Sequence, residues 1–191
     1  MPHAEHRTRL VVDFRERALP ATVAPLLSAG DVACAIVPHN VSAEQASSIQ
    51  ALQAGGVAVL VTNDVRLARD LGADGVHLSG DAAMPDAYAK ARAALGPDQI
   101  VGVEAENDRH NAMLLGEGGA DYLAFGLPDG RDDLLWWSEV FEVPSVALGP
   151  MSVSDARDFS AHGVEFISVP ADVEAIGEMH AAATANTLMR A

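Results

Sequence analysis

Asp64 and Asp81 each stand just after a short apolar run, Val57–Val61 and Gly75–Leu78, that reads as a buried β-strand. Two carboxylates ending neighbouring strands can face one point. With open coordination positions they suit Mg²⁺, which then clamps a substrate phosphate. Helix capping is the structural alternative, because Asn63 and Asp64 stand where a helix begins. The pattern alone does not choose between the two. His77 lies within the second run and could orient a ligand or serve as a core histidine. His39, in the turn Pro38–His39–Asn40, is a further candidate for acid–base work. Glu104 follows Ile100–Val103 and either reaches toward the same point or is solvated beside Glu106. Asp13, Arg15, Ser79, Gly126, Asp129, Arg131, Gly149 and Ser168 stand at the ends of their own apolar runs or just after them.

The elements that must hold these residues alternate. Eight short, continuously apolar runs, Arg9–Phe14, Val32–Val37, Val57–Val61, Gly75–Leu78, Ile100–Val103, Tyr122–Phe125, Ser145–Leu148 and Glu165–Val169, have the character of parallel strands buried on both faces. Helical patterns lie between and after them at Ala21–Ala29, Ser42–Ala54, Val65–Leu71, Asp86–Leu95, Arg109–Glu117, Asp132–Phe141, Ser152–Ala161 and Asp172–Met189. Ser42 with Gln45, and Ser152 or Ser154, supply helix-start signals. The joints repeat: Gly72–Ala73–Asp74–Gly75, Gly118–Gly119–Ala120–Asp121 and Gly163–Val164–Glu165 each put glycine after a helix and a strand shortly beyond. Eight such units predict an α/β fold, a minimal (β/α)₈ TIM barrel forming one domain over residues 1–191. The rival open doubly wound sheet lacks its Gly-x-Gly-x-x-Gly signature, since Phe14–Arg15–Glu16–Arg17–Ala18 follows the first run. A barrel places its site at the C-terminal ends of its strands, which is where the candidates above fall.

Composition removes several classes of function. The 191 residues hold 12 Lys+Arg against 27 Asp+Glu, a formal charge of −15. Such a surface repels nucleic-acid backbones and anionic lipid, so neither is expected as a partner. The one lysine, Lys90, falls in a surface-helix pattern, which argues against Schiff-base and Walker-type chemistry. Cys34 is the one cysteine, so no internal disulfide or Cys-cluster metal site can form, and it reads as a small core hydrophobe. Trp136 and Trp137 read as packing residues between barrel and helix. The polar Met1–Arg9 segment does not have the form of a signal peptide, and no apolar stretch approaches a membrane span, so a cytoplasmic setting is expected.

Longer stretches resemble a known family. Val61–Thr62–Asn63–Asp64–Val65–Arg66–Leu67–Ala68 and Leu71–Gly72–Ala73–Asp74–Gly75–Val76–His77–Leu78 are similar to the thiamine phosphate synthase family. So are Ile100–Val103, Gly119–Gly126 and Val143–Gly149, in collinear order. The resemblance implies a small (β/α)₈ barrel that joins hydroxymethylpyrimidine diphosphate to a thiazole phosphate, releasing pyrophosphate with Mg²⁺. A related branch isomerises the thiazole phosphate instead. Carried over by position, Asp64 would hold Mg²⁺, with Asp81 as second ligand displaced one position from the family's Gly-Gln-x-Asp. Asn63 would orient the pyrimidine, and His77 would line the pocket. His39, Glu104, Arg131 and Gly149 fall at substrate-binding positions. The implied partner is a small phosphorylated heterocycle, with a homodimer left open.

The departures share a direction. Where the family has Gln-x-Arg-x-Lys after the second strand, this chain has Ala35–Ile36–Val37–Pro38–His39, without a basic residue. Glu104 replaces a serine. Arg131 stands in for a lysine in Leu127–Pro128–Asp129–Gly130–Arg131–Asp132. The Gly-Gly pair becomes Gly149–Pro150, and proline has no N–H to offer a phosphate. A serine position after the eighth strand is Ala171. Three functions follow as expectations: a synthase, that is a transferase; a catalytically degenerate paralogue that binds or regulates; and an isomerase using His39 or His77 as proton carrier.

Overall fold

The computed structural model describes residues 7–42, 45–106 and 108–185. The order is β1 (Arg9–Asp13), α1 (Ala24–Ala29), β2 (Val32–Val37), α2 (Ala46–Ala54), β3 (Ala58–Thr62), α3 (Val65–Leu71), β4 (Gly75–Leu78), α4 (Pro85–Leu95), β5 (Ile100–Glu104), α5 (Arg109–Glu117), β6 (Tyr122–Gly126), α6 (Arg131–Val140), β7 (Ser145–Leu148), α7 (Val153–Ala161), β8 (Phe166–Pro170) and α8 (Val173–Thr184). The strands close into a barrel, every neighbouring pair parallel, with β8 returning to β1 through Val11↔Ser168 and Val12↔Val169. This is the predicted TIM barrel. Among the described residues no helix is long and apolar enough to cross a membrane.

Strand alternation divides the apolar side chains into two clusters. One, including Leu10, Val12, Val59, Val101, Leu123, Trp137 and Phe159, fills the space between strands and helices. The other, Val11, Ile36, Leu60, Tyr122, Ala124, Val146 and Leu148, lies inside the barrel. Trp137 is fully buried, stacks on Phe141 at 4.0 Å and donates its indole N–H to the Val143 carbonyl at 2.8 Å. Trp136 lies 4.6 Å from the Arg109 guanidinium. Both tryptophans therefore pack, as their helical spacing suggested. Lys90 is exposed on α4.

Helix starts follow local chemistry. Ser152 and Asp155 form a full capping box, Ser152 Oγ accepting the Asp155 N–H at 3.1 Å and Asp155 accepting the Ser152 N–H at 2.9 Å. Ser154 lies inside α7 and caps nothing. Helix α1 begins at Ala24, three residues later than its pattern suggests, because Pro25 is tolerated only in a first turn. Helix α2 begins at Ala46 rather than Ser42. There Gln45 Oε1 accepts the Ser42 N–H at 2.9 Å, which is half of a capping box, and residues 43–44 lie outside the described residues. Helix α8 ends at Thr184, and the predicted continuation to Met189 runs beyond the described residues.

The repeated acids before the strands are structural. Asp74 Oδ2 accepts the Val59 N–H at 2.8 Å, Asp121 Oδ2 accepts the Val101 N–H at 2.7 Å, and Glu165 Oε2 accepts the Ser145 N–H at 2.9 Å. Asp121 also pairs with Arg92, and Asp31 with Arg9. Asp74, Asp121 and Glu165 each satisfy a backbone donor at the start of a strand, where the sheet ladder supplies no partner. These acids hold the N-terminal end of the barrel, opposite the mouth, and have no part in the site.

Candidate active site at the barrel mouth

Five side chains from four strands and one loop run as a chain from the barrel interior to its mouth. Deepest is Tyr122 of β6, 9% exposed, whose ring lies across Gly102 of β5. A Cβ on Gly102 would stand 1.9 Å from that ring, so only glycine fits opposite the tyrosine. The Tyr122 hydroxyl is 2.8 Å from Nδ1 of His77, a fully buried residue of β4. The other ring nitrogen, Nε2, has no hydrogen-bond partner among the described residues and faces Glu104 Oε2 of β5 at 3.7 Å. A carboxylate cannot donate, so the arrangement favours the proton on Nε2, with Nδ1 accepting the Tyr122 O–H. Glu104 Oε2 also accepts from Arg15 Nη1 at 3.3 Å. Arg15 in turn grips both oxygens of Asp13, through Nε at 3.1 Å and Nη2 at 2.8 Å, and Asp13 Oδ1 accepts the Arg15 backbone N–H at 2.9 Å.

Charge follows from this geometry. The His77 ring N–H and the Arg15 guanidinium hold Glu104 below the usual carboxylate range despite its burial. Burial pushes His77 down, with Arg15 adding to the effect and Glu104 opposing it, so the ring is neutral near pH 7. Burial pushes the Tyr122 phenol well up. Arg15 is held charged by Asp13 and Glu104 against its own burial. One guanidinium thus serves two carboxylates, leaving the axis of the mouth net negative. Cys34, deeper in the barrel, is pushed up to about 12 by burial and by Asp74. It lines a cavity of about 250 Å³ at the N-terminal end with Val11, Leu60, Ile100 and Phe166.

The other sequence candidates lie around the rim. Asn63, after β3, has a left-handed φ of 55°. Its amide oxygen accepts the Ser79 N–H at 2.9 Å and its amide nitrogen donates to the Ser79 carbonyl at 3.2 Å, pinning the loops after β3 and β4 together. Asp64 caps α3, Oδ1 accepting the Leu67 N–H at 2.8 Å. Asp81 is exposed in a 3₁₀ turn, Gly80–Ala83. Among the described residues no group of three or more His, Cys, Asp or Glu could hold a metal ion. His39 is exposed after β2. Arg131, at the start of α6, donates to Asp155 at 2.9 Å and also pairs with Asp158 of α7. The Gly149 N–H donates to Ser168 Oγ at 2.9 Å, joining the ends of β7 and β8. The structure therefore brings together His77 and Glu104, and separately Asn63 with the β4 loop. Tyr122 was not among the sequence candidates, although Gly102 directly across from it in the sheet register is a signal that a large ring lies there.

Known proteins resemble this chain along most of its length. The family model for thiamine monophosphate synthase matches residues 10–173. A thiamine-phosphate synthase of Hyphomonas neptunium is 39% identical over 168 residues, 77% of this chain and 75% of the relative. One of Rhodospirillum centenum is 37% identical over 196 aligned positions, covering 93% of each chain. The solved structure of a thiamine phosphate pyrophosphorylase from Pyrococcus furiosus superposes with a TM-score of 0.75 at 22% identity, over 96% of this chain and 98% of the other, which shows the shared fold. With the barrel closed through eight parallel strands and the likeness running from β1 into α8, the chain belongs to the thiamine monophosphate synthase family.

Proposed function

We propose that the chain joins hydroxymethylpyrimidine diphosphate to a thiazole phosphate, forming thiamine phosphate and releasing pyrophosphate. The observation that carries this reading is the 37% identity to a thiamine-phosphate synthase over 93% of both chains. In the reaction the thiazole nitrogen forms a bond to the pyrimidine methylene carbon. The carbon–oxygen bond to the diphosphate breaks, and its electron pair leaves with pyrophosphate.

The mouth geometry orders the parts. Phosphoryl groups avoid the Glu104 carboxylate at the axis, so the heterocycles lie over His77 and Glu104, and the phosphates lie outward at the rim. Glu104 there accepts hydrogen bonds from ring or amino N–H groups. Asn63, fixed on Ser79, orients the pyrimidine, and His77, buried beneath the mouth, holds Glu104 in place. His39 and the Gly149 backbone border the substrate at the rim, and Arg131 reaches a phosphate only by leaving Asp155 and Asp158.

The donor set at the β3 and β4 ends fits Mg²⁺. Asp64 uses Oδ1 as a cap and keeps Oδ2, and Asp81 makes no hydrogen bond or ion pair among the described residues. Two carboxylates plus substrate phosphates are a usual Mg²⁺ environment. Asp64 and Asp81 would hold the ion, and its chemistry when bound is to stabilise the charge of the departing pyrophosphate. A second reading, a binding or regulatory paralogue, is favoured by the Arg15–Glu104 pair across the mouth and by Pro150. Incubation with both substrates and Mg²⁺, with chromatographic detection of thiamine phosphate, separates the two. Formation of product supports the synthase. Calorimetric binding of the pyrimidine diphosphate without product supports the paralogue.

A further inference from the structure

The loop between β1 and α1 carries two arginines, Arg15 and Arg17, that line cavities on both of its sides. Toward β2 a cavity of about 420 Å³ is bounded by Arg15, Arg17, Pro38, Asn40 and Gln45. Toward β7 and β8 a cavity of about 530 Å³ is bounded by Arg15, Arg17, Gly149, Pro150 and Ser168. Glu16 lines both. The loop is held in shape by the Arg17 N–H donating to the Phe14 carbonyl at 3.0 Å and by the Asp13–Arg15 contacts. The two arginines differ. Arg15 is neutralised by Asp13 and Glu104, whereas Arg17 has no hydrogen bond or ion pair through its side chain among the described residues.

Arg109 and Arg131, the cations at the starts of α5 and α6, are committed elsewhere. Arg109 at the start of α5 pairs with Asp133 at 2.6 Å, and Arg131 with Asp155 and Asp158. Arg66 on α3, in loose exposed contact with Asp70, does not line the cavity against β2. The end of β2 offers Pro38, His39 and Asn40, with no permanent cation. In a chain of net charge −15, an anionic ligand entering the cavity beside β2 meets Arg17, which makes no side-chain hydrogen bond or ion pair among the described residues.

We infer that Arg17, seated beside Arg15 on the β1–α1 loop, grips the diphosphate of the pyrimidine substrate in the cavity against β2. Arg15, locked by its carboxylates, fixes the loop that carries Arg17. The inference rests on the synthase reading for the identity of the ligand, while the chemistry it needs is only a diphosphate. A guanidinium matches that group because two N–H donors can meet two phosphoryl oxygens at once.

The test uses the full chain and its Arg17→Ala and Arg17→Lys variants. Because Arg17 is exposed, neither substitution disturbs the core. Loss of one charge-assisted contact at an exposed site is expected to raise KM for the pyrimidine diphosphate about three- to tenfold. In the same variant KM for the thiazole phosphate stays within about twofold, and Arg17→Lys recovers part of the loss. Calorimetry with inorganic pyrophosphate is expected to show the same weakening. An active wild type whose KM for the diphosphate is unchanged in Arg17→Ala overturns the inference and leaves the synthase reading standing. A rise confined to KM for the thiazole phosphate overturns it as well. A wild type without turnover whose pyrophosphate binding weakens in Arg17→Ala supports the grip while the synthase reading fails. Absence of pyrophosphate binding in the wild type overturns it.

Discussion

Glu104 Oε2 stands 3.7 Å from Nε2 of His77, a carboxylate facing a buried ring nitrogen that has no other partner among the described residues. Both groups are shifted down, and acid acts on both with the same sign. His77 folds with its pKa below the ordinary 6.5 because of burial, and Glu104 folds below the ordinary 4.5 because of the His77 N–H and Arg15. The unfolded chain binds more protons at each position, so stability is full above about pH 6.5 and falls as pH drops. The expected result is a thermal midpoint that declines in two stages, first below pH 6.5 and again below pH 4.5. A His77→Gln variant, which cannot titrate, should lose the first stage. A midpoint that rises on acidification contradicts the assignment.

Removing the charge of Glu104 should help phosphates. A unit charge within several ångströms of the rim opposes an anion by roughly 1 kcal/mol at an effective dielectric between protein and water. Glu104→Gln is therefore expected to tighten pyrophosphate binding about fivefold, and titration calorimetry at low ionic strength measures it. Weaker binding would mean that Glu104 acts chiefly by holding Arg15 in place.

Asp64 has two separable roles. Asp64→Ala removes the α3 cap that Leu67 N–H uses, a loss of about 1 kcal/mol, or about 2–4 °C in a domain of this size. Asp64→Asn keeps the cap and removes the charge. Asn is expected to preserve the midpoint within about 1 °C while raising the Mg²⁺ concentration needed for turnover at least tenfold. An unchanged Mg²⁺ requirement in Asp64→Asn would limit Asp64 to capping.

Gly102 and Tyr122 form a packing pair with almost no tolerance. A methyl at Gly102 meets the tyrosine ring at 1.9 Å, so Gly102→Ala should cost about 1–3 kcal/mol and displace the hydroxyl from His77. In denaturant unfolding the double variant Gly102→Ala/Tyr122→Ala should be less destabilised than the two single effects added together, because shortening the ring removes the clash. Additive effects would mean that the barrel relaxes elsewhere.

The Gly-Ala-Asp joints and the eight apolar runs made the barrel legible, since each run is too short for a helix and too apolar for a strand with a wet face. They also placed Asn63, Asp64, His77, Asp81 and Glu104 at strand ends, because a parallel barrel leaves its C-terminal ends open. Sequence position could not say that Asn63 would clasp Ser79, that Asp64 would turn one oxygen to α3, or that Arg131 would face α7. Apart from the Asp64 cap, which reaches only three residues ahead, those outcomes depend on which neighbour lies within hydrogen-bond reach across 16 to 27 residues of chain. The same is true of Tyr122, His77, Glu104, Arg15 and Asp13, spread over residues 13 to 122. What the sequence determined was the set of strands and the residues at their ends. What closure of the barrel decided was the one line of contacts joining them, since parallel register alone brings β1, β4, β5 and β6 around a common axis.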